Sequence, residues 1–355
     1  MFEAIDEQGN RINSQLETMD TLVTKKLFCP YCRTRLRVRQ GNKRLHFVHL
    51  TACTGESSEH AAWKKRLASY FEQLDFDVEL EAIRGRRRFD LLLQPGAIGI
   101  EIQRSKMTGD EWIRRLMLDS DNGYEVRWIG FREKEGPFLK LDGWMKEAFA
   151  VHGYMDVIEK GRIVRYTNPL PFSRRVVLCQ QVPLTCQQFL TPHVPPRKFP
   201  ERLWSTLIKN YRMRPFFSSF PRSFLHLPMY RAHLCVSTLP SYCFLPLSSL
   251  TSLQVHPFEL QIAAYVHLNG HYSTERLTLF LENCFHVCRI RSDKNRLKRL
   301  VQEWTVSLRY IHLCLPEALE DRPSDLAVRL AEDQKLAGAL RLFVERETGI
   351  NEVKE

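Results

Sequence analysis

Two carboxylates can meet across a tight turn in the stretch RRRFDLLLQPGAIGIEIQRS, residues 86–105. Two apolar runs flank the sequence QPGA, residues 94–97, whose residue types favour the turn of a β-hairpin. If the loop closes symmetrically, Leu93 pairs with Ile98. Extending this antiparallel register by three residues on each strand places Asp90 opposite Glu101. Directly opposed side chains lie about 4.5–5.5 Å apart at Cβ, and like charges there are destabilising. The sequence therefore predicts a cation beside this pair.

The strand period adds a third polar side chain to the same face. Three isoleucines alternate along the second run, so Gln103 shares the other face with Glu101. Together with Asp90 they suit a hard cation such as Mg²⁺ or Mn²⁺, which takes one or two carboxylates and fills its other positions with water and phosphate oxygens. Such a metal could activate water for phosphodiester cleavage. The alternative is a surface hairpin whose acids pair with the neighbouring arginines, Arg86, Arg87 and Arg88.

The composition of the chain restricts its class. Its 355 residues exceed the size at which single cores stop growing, so two or three domains are expected. The longest apolar runs are too short to span a membrane, and the first residues, MFEAIDEQGN, resemble no signal peptide. The expectation is a soluble, cytoplasmic protein without membrane insertion, in which a Cys-X-X-Cys is better interpreted as a metal or redox site than as a disulfide.

The net charge of +11 is unevenly distributed. Residues 1–150 carry 25 Lys and Arg against 23 Asp and Glu, whereas residues 160–231 carry 13 against Glu201 alone, together with eleven aromatic residues. Basic residues interleaved with aromatics fit a surface that neutralises phosphates and stacks bases, which favours DNA as the partner, particularly single-stranded DNA. The alternative is that the aromatics form a core and the arginines solvate its outside.

A cysteine- and histidine-rich segment near the N-terminus has the layout of a zinc ribbon, FCPYCRTRLRVRQGNKRLHFVHLTAC. Histidines three apart on a strand face opposite sides, which favours His49 over His46 as a ligand and gives the zinc set Cys29, Cys32, His49 and Cys53. A ribbon without zinc is the main alternative. A thioredoxin-like redox role is disfavoured, because the sequence does not predict a strand before Cys29 and a long helix after Cys32.

The elements around the hairpin follow a recognisable order. SEHAAWKKRLASYFEQL has a helical apolar stripe, with Glu59, His60 and Lys64 in its opening turns, and FDVELEA alternates as a strand. Thr108 with Glu111 has the spacing of a helix capping box. A further strand is predicted at EVRWIGF. Helix, three strands, helix and strand is the core order of restriction-endonuclease-like, PD-(D/E)XK nucleases, an α/β fold.

In these residues the chain resembles the competence protein CoiA family over about its first 150 residues. The resemblance implies a bacterial cytosolic protein linked to natural transformation, with a zinc-ribbon-like N-terminal module and a nuclease domain that acts on incoming or recombining DNA. The motifs that carry it are Cys29-Pro30-Tyr31-Cys32, His46-Phe47-Val48-His49, Glu59-His60 with Lys64, Asp90, Glu101-Ile102-Gln103 with Ser105, Arg115 and Trp128-Ile129.

Two positions depart from the family and superfamily patterns. Phe89 stands where the family commonly has a small residue. Gln103 stands where the wider superfamily has a lysine that helps to orient the attacking water, and an amide can position water but offers no charge. Lys64 is a candidate to supply that charge from the first helix; the alternative is an ordinary solvated helix lysine.

The expected organisation is a restriction-endonuclease-like core with a small zinc-ribbon-like β module before it and a mostly helical domain after it. The first functional hypothesis is a Mg²⁺- or Mn²⁺-dependent deoxyribonuclease. Asp90 and Glu101 are its metal ligands and Gln103 places the water. Its other catalytic residues, which lie around them, are Glu59, His60 and Lys64. The second is a catalytically silent DNA-binding adaptor, and recombination proteins are possible partners of either. The expected segments are a zinc-ribbon-like module at 1–55, the nuclease domain at 56–150, a basic, aromatic-rich connecting region at 151–256 and the helical domain at 257–355.

Overall fold

The protein is described by a computed structural model that divides into two compact units, Met1–Ile102 and Gln103–Glu355. Both units combine helices with β-strands. The residues described are 3–14, 16–30, 33–41, 45–50, 58–85, 87–132, 134–192, 194–214, 218, 220–253, 255–290, 294–315 and 325–351.

A five-stranded antiparallel sheet forms the start of the first unit. Its strands lie in the order β2-β1-β3-β4-β5, and the hairpin of β4 and β5 pairs Leu36 with His49. Alternating side chains bury Leu36 and Phe47 against Leu27 in a small core, as expected for a sheet with one apolar face. The elements are β1 (Glu3–Ile5), β2 (Arg11–Asn13), α1 (Met19–Val23), β3 (Leu27–Phe28), β4 (Arg35–Gln40) and β5 (Leu45–His49).

The rest of the first unit packs one helix against three strands. Trp63, Leu67 and Phe71 recur at helical spacing and are buried, which confirms the helix predicted from the apolar stripe. Strands β6, β9 and β10 are hydrogen-bonded neighbours in the order β10-β9-β6. The elements are α2 (Ser58–Glu72), β6 (Asp77–Leu80), β7 (Ile83–Arg84), β8 (Arg87–Arg88), β9 (Leu91–Gln94) and β10 (Ile98–Gln103).

The hairpin of β9 and β10 has the register that the sequence predicts. Ile98 pairs with Leu93 and Ile100 with Leu91 across a turn in which Gly96 has a φ of 118°. A positive φ of this kind favours glycine. One further step along this register brings Asp90 opposite Glu101.

The second unit begins with a helix and contains five strands. Thr108 caps α3, since its hydroxyl accepts from the Glu111 amide, and β11 has the predicted bounds. The strands are ordered β11-β13-β14-β15-β12; β11 and β13 are parallel and the other pairs antiparallel. The elements are α3 (Gly109–Asp121), β11 (Glu125–Phe131), β12 (Phe138–Lys140), α4 (Gly143–His152), β13 (Tyr154–Glu159), β14 (Arg162–Pro171), β15 (Val176–Leu184) and α5 (Cys186–Leu190).

Helices form the remainder of the second unit around a large apolar core that includes Trp204, Phe244, Phe258 and Trp304. The helical periodicity from Pro257 onward thus corresponds to real helices. Within the described ranges, no helix is long and apolar enough to cross a membrane. The helices are α6 (Glu201–Arg212), α7 (His226–Arg231), α8 (Pro257–Leu268), α9 (Thr274–Val287), α10 (Lys294–Cys314) and α11 (Leu326–Asn351), with short 3-10 helices at Val236–Thr238, Ser241–Phe244 and Ser248–Ser252.

Candidate functional site

Three acidic residues lie side by side across three neighbouring strands in the first unit. The pairing of Leu80 with Leu91 continues to a hydrogen bond from the Glu81 amide to the Asp90 carbonyl, 3.0 Å. On the other side the hairpin register brings Asp90 opposite Glu101. Asp90 therefore occupies the middle of a row of three acids.

Helix α2 brings two basic side chains to the middle acid. His60 and Lys64 are one helical turn apart and so lie on the same face of the helix. The His60 Nε2 lies 3.1 Å from Oδ2 of Asp90, and the Lys64 Nζ lies 3.6 Å from Oδ1. The Ile102 amide donates to Oδ2 of the same carboxylate at 2.8 Å, which fixes its orientation on the hairpin.

The burial of Lys64 sets it apart from an ordinary surface lysine. Its side chain is 6% exposed, and its ammonium group is ion-paired with Glu81 as well as lying near Asp90. A buried ammonium group is costly unless carboxylates compensate it. The alternative expectation for Lys64, a solvated helix lysine, is therefore wrong, and its charge is directed at the acidic row.

Arginines contact the two outer acids of the row. The Arg87 guanidinium lies 3.0 Å from Oε1 of Glu101, whose side chain is 11% exposed. Arg88 forms an ion pair with Glu81. Arginines of the hairpin thus pair with acids, as the surface-hairpin alternative expects. However, the carboxylates of Asp90 and Glu101 are largely buried. Charge on this face is balanced by the protein itself.

Gln103 and Glu59 differ in their surroundings. Gln103 ends strand β10 and is half-buried, and its amide donates to the carbonyl and the hydroxyl of Ser105, both at 2.8 Å. These bonds fix the plane of the amide. Glu59 is exposed in the first turn of α2. Catalytic roles for these two residues stay predictions.

The acidic row has the chemistry of a Mg²⁺ or Mn²⁺ site. Asp90 and Glu101 offer hard carboxylate oxygens on paired strands, and Mg²⁺ typically uses one or two protein carboxylates with water and substrate phosphate. Among the described residues, no group of three or more His, Cys, Asp or Glu side chains is arranged to hold a metal. A Mg²⁺ or Mn²⁺ ion at Asp90 and Glu101 therefore stays a prediction.

The predicted zinc ligands are only partly within the described residues. Cys29 is buried, and its carbonyl accepts from the Arg33 amide at 3.0 Å. His49 ends strand β5. Cys32 and Cys53 lie outside the described residues, so zinc at this module stays a prediction.

The basic and aromatic region at 160–231 turns out to contribute heavily to the core. Trp204 is fully buried, and Tyr211 packs against the same core. Arg165 and Arg212 are also buried, and each forms an ion pair, with Asp156 and Asp333 respectively. Most of the described aromatics thus follow the alternative interpretation, in which they pack inward, whereas Tyr230 is exposed.

The residue that sequence reasoning missed is Glu81. Alternation along FDVELEA puts Glu81 only on the polar side of a strand, yet Glu81 pairs with Lys64 and Arg88 and completes the acidic row. Its position follows from antiparallel pairing of Leu80 with Leu91, and hydrophobic alternation within one strand cannot reveal that pairing.

Fold and site together define a mixed α/β protein with an acidic, cation-lined face at three neighbouring strands, β6, β9 and β10. Residues 56–189 match the family described as Competence protein CoiA, nuclease-like domain. This match supports the CoiA family for a little over a third of the chain, a segment that includes Lys64, Asp90, Glu101 and Gln103. No curated protein and no solved structure matches the chain.

Proposed function

We propose that the protein is a metal-dependent nuclease that processes DNA during bacterial natural transformation. The observation that carries the proposal is the buried Lys64, whose ammonium group lies 3.6 Å from the Asp90 carboxylate in a segment that matches a nuclease-like domain. A restriction-endonuclease-like site needs two acids and a cation near the attacking water. In this chain Gln103 occupies the strand position of the usual lysine. Lys64 of helix α2 supplies the cation in its place.

Each residue of the site has an assigned role in this proposal. Asp90 and Glu101 would hold Mg²⁺ or Mn²⁺, and the bound metal would polarise the phosphodiester and activate water. Lys64 supplies positive charge beside Asp90, and His60 orients that carboxylate through its 3.1 Å contact. Gln103 positions a water molecule through its amide.

The second candidate is a DNA-binding adaptor with the same fold and without turnover. The 3.0 Å ion pair between Arg87 and Glu101 favours it, because that arginine already compensates the acid that a metal would use. Gln103 in place of lysine favours it too. Such an adaptor would help internalised single-stranded DNA to reach the recombination machinery.

The remaining assignments follow from the same family. The N-terminal module would hold one structural Zn²⁺, and the protein would act in the cytoplasm on incoming or recombining DNA. The family match and the chain's net charge of +11 support the action on DNA. The zinc assignment is supported by the residue types and spacing of Cys29, Cys32, His49 and Cys53.

The test is cleavage of end-labelled single-stranded and duplex DNA with Mg²⁺ or Mn²⁺. We expect the wild type to cleave, and Asp90→Ala and Glu101→Ala to lose at least about 10²-fold in rate, the scale of a lost catalytic group. Asp77→Ala is the matched control, because this acid is exposed on strand β6 of the same sheet, and it should cleave like the wild type.

The outcomes separate the two candidates. Cleavage that survives both Asp90→Ala and Glu101→Ala would refute the site. DNA binding with no cleavage under either metal would instead establish the adaptor.

A further inference from the structure

A large basic groove lies within the second unit, and neither of the assigned acids, Asp90 and Glu101, lines it. One cavity of about 1200 Å³ runs between the start of α3, the start of α4 and the segment that joins α9 to α10. A second cavity of about 330 Å³ lies beside β14 and the 3-10 helix Ser248–Ser252. Ser252 and Arg296 line both cavities, so the two are neighbours, and together they are called the groove.

The charge of the groove is strongly positive. Among the described lining residues eight are basic and three are acidic, which leaves five net positive charges. Clefts lined by one sign of charge concentrate the field and attract ligands of the opposite sign. The basic residues are Lys106, Arg114, Lys146, Arg174, Arg197, Arg289, Arg296 and Arg299, and the acidic ones are Asp110, Asp142 and Glu147.

Two helices begin at the wall of the larger cavity. Gly109 and Gly143 are their first residues, and a Cβ on Gly143 would lie only 3.1 Å from the Gly109 amide nitrogen. The close approach therefore depends on glycine and brings two helix N-termini, each with partial positive charge, to the same wall. This adds to the field of the basic side chains.

The smaller cavity is built on a rigid wall. The Glu303 carboxylate accepts from the Ser248 and Ser249 amides at 2.7 and 2.8 Å, and so fixes the 3-10 helix whose hydroxyls line the cavity. Arg296 and Arg299 are three residues apart on α10 and lie on one helix face. Arg197 lines the same cavity, which brings three arginines around a space the size of a small ligand, and Arg296 among them is ion-paired with Glu147.

Apolar side chains also line the larger cavity. Met107, Ile113, Phe220 and Ile290 line it together with the basic residues. A single strand presents both phosphates and unstacked bases, so it can engage both kinds of lining. A duplex encloses its bases and would leave the apolar lining without a partner.

We propose that this groove binds single-stranded DNA, with phosphates at the arginines of the smaller cavity and bases against the apolar wall of the larger one. The choice of DNA rests on the proposed function. The groove lies mostly outside residues 160–231, where the sequence placed the DNA-binding surface: of its residues only Arg174, Arg197, Phe220 and two uncharged ones, Asn168 and Pro169, fall there.

The test measures binding of the full chain to a fluorescein-labelled oligothymidylate by anisotropy in EDTA, over a salt titration. Arg197→Ala with Arg299→Ala removes two phosphate contacts, so the slope of log K against log salt should become shallower by about 1.4. The same principle gives about a 25-fold loss of affinity at 0.1 M salt. The control pair, Arg202→Ala with Arg309→Ala, removes two exposed arginines outside the groove and should change affinity by less than about 3-fold.

A second variant and a second readout keep the test decisive. Lys106→Ala with Arg289→Ala should weaken binding similarly from the other end of the groove. In the wild type, an oligonucleotide that carries 5-iodouracil should cross-link to peptides that contain Met107 or Phe220. Equal losses in groove and control pairs, cross-links confined to other segments, or tighter binding of matched RNA or duplex DNA would each overturn the proposal.

The design also separates this inference from the nuclease proposal. Binding is measured in EDTA, without a metal at Asp90 and Glu101, so its result does not depend on cleavage. Binding through the groove without cleavage under any metal would refute the nuclease and leave the groove assignment intact.

Discussion

The buried ion pair between Arg212 and Asp333 offers a quantitative test of the second unit. The Arg212 guanidinium donates to both carboxylate oxygens of Asp333 at 2.7 and 2.8 Å and to the Leu239 carbonyl at 2.8 Å, and it lies 4.3 Å from the ring centroid of Phe244. Neither side chain is more than 1% exposed. Asp333→Asn would leave the guanidinium charge buried without its counter-charge.

The expected cost follows from what remains around Arg212. Breaking a buried pair by removing one partner costs about 3–5 kcal/mol. Because the carbonyl and ring contacts persist and Asn can still accept one hydrogen bond, we expect the lower end, about 3 kcal/mol in the free energy of unfolding. The assay is urea unfolding followed by tryptophan fluorescence, to which the buried Trp204 contributes.

A matched control lies on the same two helices. Glu201 of α6 pairs with Arg341 of α11 at 3.2 Å, but both side chains are about a third or more exposed, so Glu201→Gln should cost under about 1 kcal/mol. A double change, Arg212→Met with Asp333→Leu, should be less damaging than Asp333→Asn, since it removes both charges together. An Asp333→Asn loss no larger than that of Glu201→Gln would refute the reasoning.

Three further predictions concern the side chains of Lys64, Lys146 and the zinc-ligand cysteines. Lys64→Met should lower kcat about 10²-fold with KM and DNA binding unchanged, whereas the exposed Lys65→Met should not; a loss of binding in place of kcat would contradict the catalytic role. Burial lowers the pKa of Lys146 to about 8, so its charged form destabilises the fold below pH 8 and this penalty fades as pH rises toward the unfolded pKa of about 10.5. Lys146→Met should therefore raise the free energy of unfolding at pH 7 by about 1–2 kcal/mol and bring no gain near pH 10.5, and an equal gain at both pH values would contradict the assignment. Purified protein should carry about one equivalent of zinc by atomic emission and lose it in Cys29→Ser with Cys32→Ser; retention of zinc in that variant would exclude the ribbon ligands.

Local pattern was sufficient where local chemistry decides the structure. Turn residues and alternation predicted the register that pairs Leu93 with Ile98, and the spacing of Thr108 and Glu111 predicted where α3 begins. Helical spacing predicted α2, on which His60 and Lys64 face one way. These features depend on neighbours within one turn or one hairpin.

Features that depend on distant pairing were beyond the sequence. Strand β13 is buried at every position, so it shows no alternation, and its charged Asp156 is tolerated only because Arg165 of the next strand pairs with it. Arg212 belongs to the basic stretch in which the sequence predicts DNA binding, yet it is ion-paired with Asp333, 121 residues further along the chain. Glu81 joined the acidic row only through the pairing of its strand. A charge's role is decided by what lies across from it in space.

The central claim is that Asp90 and Glu101 together hold the catalytic metal. It is tested most directly by titrating Mn²⁺ into the protein, with a non-cleavable phosphorothioate strand present, and following free Mn²⁺ by electron paramagnetic resonance. The account predicts at least one Mn²⁺ bound by the wild type that is lost in both Asp90→Asn and Glu101→Gln. Mn²⁺ binding with the same stoichiometry and affinity in the wild type and both variants would contradict it.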